Sequence, residues 1–120
     1  MEKLTAKEEE IMKVLWQLKQ AFVKDIVPHL SGANHYNTVS TIVRKLEEKG
    51  FVGYTAFGKT HRYEPLIPME QYRSRFVSNA ISHYFNNSYK NVVSFFAKED
   101  KISAQDLRDI LEIIEKKEKL

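Results

Sequence analysis

Between Asn37 and Gly50, four apolar residues constrain the chain more than any other feature. Val39, Ile42, Val43 and Leu46 recur at spacings of three, four and seven, which places them on one face of a helix. At roughly 100° per residue, the opposite face carries Asn37, Thr41, Arg44 and Glu48, with Ser40 and Lys45 at its margins. Such a helix buries one side and offers hydrogen-bonding and basic groups on the other. Gly50 follows and tolerates the positive φ that ends a helix, so a helix is expected over Asn37 to Lys49.

The flanking segments set this helix in an order. Thr5 with Glu8 has the capping-box pattern, so a helix is expected to start at Thr5. Its buried stripe would be Ile11, Met12, Leu15 and Leu18, with Trp16 on the flank. Ala21-Phe22 reads as a short extended segment. A second helix is expected from about Val23 to Leu30, with Pro28 distorting its last turn because proline has no N–H. Ser31 to Asn34 reads as a turn. After Gly50, Phe51–Tyr54 and Thr60–Tyr63 are β-rich runs joined by Thr55–Lys59, whose glycine suits a hairpin, and Pro65 closes the second run. Helix, short strand, helix, helix, hairpin is the order of a winged helix-turn-helix. The expected fold is mainly α with a small β-hairpin: a winged helix-turn-helix domain at 1–67 and a three-helix dimerisation region at 68–120.

The tail is helical in pattern. One helix is expected over Met69 to about Phe85, a break at Asn86-Asn87-Ser88, a second helix over Tyr89 to Lys98, and a third capped by Ser103 with Asp106 three residues on. Val92, Val93, Phe95 and Phe96, then Leu107, Ile110, Leu111 and Ile114, give these short helices more apolar surface than they can bury alone. Each such side chain gains roughly 1.5–3 kcal/mol on full burial, so a second copy of the chain is the expected cover. Folding back onto the N-terminal domain is the alternative.

Charge points to a partner. Of 19 basic and 16 acidic residues, the stretch from Ser31 to Tyr63 holds five basic (Arg44, Lys45, Lys49, Lys59 and Arg62) against two acidic (Glu47 and Glu48). The remainder balances, so the net charge of +3 lies in one stretch, as expected where a protein meets phosphate. A random surface could also carry so small an excess. The chain has no cysteine, which removes disulfides and thiolate chemistry. No run approaches a membrane span and no signal peptide opens the chain, so a cytoplasmic location is expected.

Catalysis is not expected. His29, His35, His61 and His83 lack metal-ligand spacing, no glycine-rich phosphate loop occurs, and Glu8-Glu9-Glu10, Glu47-Glu48 and Glu99-Asp100 read as solvated faces and caps. Neither a metal nor a cofactor is expected. The candidate DNA contacts are Asn37, Thr38, Ser40, Thr41, Arg44 and Lys45 on the third helix, and Lys59, His61 and Arg62 on the hairpin. The planar fork of Arg44 suits the guanine acceptors in the major groove. Lys45 and Lys49 suit phosphate, as point charges. Tyr63 is expected to pack the hairpin onto the core, and Phe57 to be partly exposed. The competing readings are a winged-helix protein-interaction module that never binds DNA and a regulator that senses a small ligand.

The opening Leu4-Thr5 through Glu9, with Ile11-Met12 and Leu15-Trp16, resembles that of the penicillinase repressor family (the BlaI/MecI type). So does the run Thr38-Val39-Ser40-Thr41-Ile42-Val43-Arg44-Lys45-Leu46-Glu47-Glu48-Lys49-Gly50, and so does the wing ending at Arg62-Tyr63 before Pro65. Val92-Val93-Ser94-Phe95-Phe96-Ala97-Lys98-Glu99-Asp100 is similar to the family's tail. The resemblance implies a homodimeric repressor of inverted-repeat operators in double-stranded DNA, often at β-lactam-resistance genes. It also implies release by a sensor-linked protease that cuts the tail. The matching bond here is Ser94–Phe95, where the family often has Asn before the Phe. A copper-responsive branch senses metal through cysteines, which this chain lacks.

Overall fold

The structure, a computed structural model, describes residues 3–119. The chain divides into two compact units, Met1–Arg73 and Ser74–Leu120. In the first, helix α1 (Ala6–Leu18) opens on the expected reciprocal cap. The Thr5 hydroxyl accepts from the Glu8 N–H at 3.1 Å, and the Glu8 carboxylate accepts from the Thr5 N–H at 2.8 Å. Ile11, Met12 and Leu15 are fully buried, Val14 joins them, and Leu18 only packs against their edge. Glu8 departs from a solvated face: it is only 3% exposed. Its charge is matched by Lys49, whose Nζ donates to the Glu8 carboxylate at 2.9 Å across 41 residues of sequence.

Strand β1 (Ala21–Phe22) leads into α2 (Val23–Ile26), which is shorter than the helix expected to reach Leu30. Pro28 has no N–H to give to the fourth carbonyl back, so the ladder stops and Val27–His29 forms a 3₁₀ turn closed by Leu30 N–H to Val27 O at 3.2 Å. Helix α3 (Tyr36–Glu48) follows, beginning one residue before the periodicity suggests. Val39, Val43 and Leu46 are fully buried and Ile42 partly so. At its end Gly50 has φ +82°, the Phe51 N–H donates to Leu46 O at 2.9 Å and the Gly50 N–H to Glu47 O at 3.0 Å. These are the paired bonds of a Schellman stop, with buried Leu46 and Phe51 at its hydrophobic corners.

The wing is larger than the expected hairpin. Strands β2 (Val52–Phe57) and β3 (Thr60–Pro65) pair antiparallel, Phe57 opposite Thr60, leaving only Gly58 and Lys59 to turn. Thr55, Ala56 and Phe57 are therefore strand rather than loop. Gly58 sits at φ +62°, the position where a tight II′ hairpin turn favours glycine. β1 adds to the far side of β3, with Ala21 opposite Tyr63, so the sheet is three-stranded in the order β1-β3-β2. Tyr63 is buried at the sheet's centre and Phe57 is 47% exposed. The Trp16 indole donates to Ile67 O at 2.9 Å. Tyr72 lies against Phe51 and Trp16 at 5.9 and 5.8 Å and donates to Glu9.

Beyond Arg73 lie the rest of α4 (Met69–Phe85), then α5 (Tyr89–Lys98) and α6 (Ala104–Glu118). Asn86 and Asn87, at φ +49° and +64°, make the break. The Ser88 hydroxyl then caps α5, and Ser103 with Asp106 completes a capping box on α6. Among the described residues of this unit only Ile81 is a buried apolar residue. No helix of the described residues is long and apolar enough to cross a membrane.

Candidate nucleic-acid interface

Burying Val39, Val43 and Leu46 fixes how α3 is rolled, and that roll decides what its other side offers. Asn37, Thr38, Thr41, Arg44, Lys45 and Glu48 are exposed and Ser40 is half-buried. The Thr41 hydroxyl donates to Asn37 O at 2.9 Å, which holds that side chain against its own helix and leaves its lone pairs outward. His35 precedes the helix with no side-chain cap bond, and the first turn carries no acid. The leading backbone N–H groups thus keep the partial positive charge that favours an anion. Lys49 is a correction: it is engaged with the buried Glu8 carboxylate and is not a free point charge for phosphate. Burial alone would raise the Glu8 carboxyl, but the Thr5 N–H and the Lys49 ammonium outweigh it and hold the group below its ordinary value.

The wing's three candidate contacts are held in different ways. Lys59 is exposed in the turn. His61 is one pair further in, its ring stacked on Tyr54 at 4.0 Å and nearly parallel at 8°. The Arg62 guanidinium lies 4.8 Å above the Phe57 ring, which meets Phe22 edge-on at 5.7 Å, and Lys24 Nζ approaches Phe22 at 5.9 Å. The half-buried Arg62 is therefore positioned by an aromatic pair. Burial pushes the Tyr63 phenol up, the Glu47 charge adds to this, and the Arg44 charge opposes it.

Between α3 and the wing runs a cleft of about 330 Å³ whose walls include Ser40, Arg44, Lys59 and His61 together with Tyr36 and Lys24. Asn37, Thr38, Thr41, Lys45 and Arg62 are not part of its lining. Tyr36, 52% exposed, escapes the periodicity argument because it precedes the first repeat. Lys24 escapes because its neighbours in sequence carry no pattern of their own. Among the described residues no group of three or more His, Cys, Asp or Glu is placed to hold a metal ion.

The apolar residues of the tail divide. Val92 and Val93 are half-buried, whereas Phe95 and Phe96 are 44% and 38% exposed. Leu107, Ile110, Leu111 and Ile114 are 39–53% exposed. Ile113, absent from the stripe read in sequence, is 58% exposed beside them. Phe95 also packs edge-on against Phe85 at 5.5 Å and Phe96 at 5.2 Å. The Ser94–Phe95 bond lies inside α5, with Ser94 half-buried.

The methicillin resistance regulatory protein MecI from Mammaliicoccus sciuri is 21% identical over 116 residues, covering 95% of this chain and 94% of its own. MecI from Staphylococcus aureus strain N315 and from Staphylococcus epidermidis align to the same extent. Among solved structures, the DNA-binding domain of the repressor BlaI in solution superposes with a TM-score of 0.51 at 26% identity, covering 60% of this chain and 94% of that domain. A profile of the penicillinase repressor family matches residues 4–116. The chain belongs to the penicillinase repressor family, a family of DNA-binding transcriptional repressors and not of enzymes.

Proposed function

We propose that this repressor binds an inverted-repeat operator as a homodimer, with residues 1–67 reading DNA and residues 68–120 joining the two copies. The observation that carries the reading is the outward face of α3, where Asn37, Thr41, Arg44 and Lys45 stand exposed beside a wing bearing Lys59, His61 and Arg62. α3 enters the major groove, Arg44 faces guanine, and Asn37, Thr38, Ser40, Thr41 and Lys45 take bases or phosphates. The wing lies on the neighbouring backbone. Twofold symmetry of the protein then demands twofold symmetry of the site. Antibiotic-resistance or stress genes are the proposed targets.

Release follows cleavage at Ser94–Phe95 by a sensor-linked protease. That bond lies within a regular helix, so α5 must open locally before it can be cut. Cutting there separates α6 from the DNA-reading part and removes the high effective concentration that a linked second half-site enjoys.

The test is protection of the protein's own upstream promoter in a salt titration, beside Arg44→Ala. Protection of an inverted repeat, weakened by salt and about 5- to 150-fold by the substitution, supports the reading. Binding no tighter than to random duplex overturns it and favours a protein-interaction module.

A further inference from the structure

The cleft between α3 and the wing is walled by three permanent cations from three separate elements: Lys24 on α2, Arg44 on α3 and Lys59 in the hairpin turn. Among the described residues no carboxylate lines it. Tyr36 and Ser40 supply hydroxyls on the α3 side, and His61 faces them from β3. Two nearby carboxylates are tied to other partners: Asp25, next to Lys24, accepts from the Phe22 N–H at 3.1 Å, and Glu8 is buried with Lys49. Glu47 acts on Tyr63 at the cleft's edge but is not part of the lining. A concave site with cations on three sides and neutral donors between them suits a phosphodiester.

Duplex geometry says where that phosphodiester comes from. A helix in the major groove and a hairpin at the adjacent minor groove are separated by one sugar-phosphate strand. When α3 and the wing dock in that way, the intervening strand has to cross the cleft between them.

We infer that this cleft is the channel for the DNA strand between the two grooves, with Lys24 a phosphate contact and Tyr36 a hydroxyl donor to the same strand. The inference rests on the DNA-binding reading above and extends it to two residues outside the outward face of α3 and the wing. Lys24 carries charge and no sequence information, so it strengthens binding to every duplex alike. It is exposed, its only aromatic contact is the distant Phe22 ring, and its loss leaves the core intact. Tyr36 is neutral, and its hydroxyl adds affinity without releasing a counterion.

The experiment compares wild type, Lys24→Ala, Lys24→Arg and Tyr36→Phe on a promoter duplex and a random duplex of equal length, each over a range of salt. Lys24→Ala is expected to flatten the slope of log K against log salt by about 0.9 per protomer on both duplexes. Lys24→Arg keeps the wild-type slope, and Tyr36→Phe weakens both complexes about tenfold with the slope unchanged. An unaltered slope for Lys24→Ala, in a protein that otherwise binds DNA with the usual salt dependence, overturns the channel alone. A wild type with no salt-dependent affinity for either duplex overturns the DNA-binding reading and the channel with it. Inorganic phosphate supplies the last arm. If it shifts the amide resonances around Lys24 and Tyr36 at millimolar concentration while Lys24→Ala leaves the DNA slope untouched, the cleft is a free-anion site and the channel is wrong.

Discussion

Replacing Leu111 by alanine tests whether α6 is an interface between two copies. Leu111 is 53% exposed within one protomer, so about half of its burial free energy is still available to a partner. Full burial of such a side chain gains roughly 1.5–3 kcal/mol; half of that is about 0.8–1.6 kcal/mol. A twofold dimer loses the contribution twice, about 1.6–3.2 kcal/mol, which raises the dissociation constant about 15- to 200-fold. The isolated helix should barely notice, since alanine is at least as good a helix former as leucine. Sedimentation velocity over a wide concentration range measures the constant directly. Lys116→Ala is the control: it lies on the polar side of α6, in an exposed ion pair with Glu112 at 3.3 Å, and such pairs contribute about 0–1 kcal/mol. A Leu111→Ala protein that keeps its helix content and dimerises with the wild-type constant would refute α6 as the contact surface.

Four smaller predictions concern the first unit. Glu8 and Glu10 both have lowered carboxyl values, Glu10 to about 2 through the Ser31 hydroxyl and Lys7. Their contribution to stability is therefore complete above the ordinary value of 4.5 and is lost as pH falls through the folded values, so urea midpoints should drop below pH 4.5 and drop less in Glu8→Gln. Ser31→Ala should return the Glu10 carboxyl toward 4.5 in an NMR titration, and an unmoved midpoint would assign the shift elsewhere. Trp16→Phe removes the indole bond to Ile67 O and should lower unfolding free energy by about 1 kcal/mol, read by chemical denaturation. Gly58→Ala meets no neighbouring atom within 4 Å, so its effect is backbone strain at φ +62° alone, about 1–2 kcal/mol. It should loosen hydrogen-exchange protection of β2 and β3 while leaving α1 protected.

What was legible in the sequence follows the range over which each interaction acts. The caps at Thr5 and Ser103, the Gly50 stop and the Asn86-Asn87 break are bonds between residues a few positions apart, and each is found where the sequence puts it. Pro28 was legible as a distortion, and its missing N–H ends the α-helical ladder even though Val27 and Leu30 still pack against the core. The turn length was hidden because Thr55 and Ala56 have no apolar alternation; only pairing with Arg62 and His61 makes them strand. Glu8 with Lys49 could not be read at all. Locally Glu8 differs from Glu9 only as the capping partner of Thr5, and its burial comes from the docking of α1 against the end of α3. Lys24 and Tyr36 were missed for the same reason, since the cleft they line exists only once α2, α3 and the wing have been brought together.

The two units also differ in what their folding leaves unfinished. In the first, the apolar stripes of α1 and α3 end in a closed core with Phe51 and Leu46 fully buried. In the second, α6 carries Leu107, Ile110, Leu111, Ile113 and Ile114, each at least 39% exposed. If two copies associate through these side chains, as proposed, the stability of the second unit depends on protomer concentration, whereas that of the first does not. This asymmetry makes the tail the sensitive place to regulate the protein on the proposed reading. A cut in α5 need not disturb the DNA-reading core, because none of the residues buried in that core lies beyond Tyr72. It would act on association alone, and operator occupancy, which depends on both copies being present, would fall more steeply than the affinity of either half for its half-site.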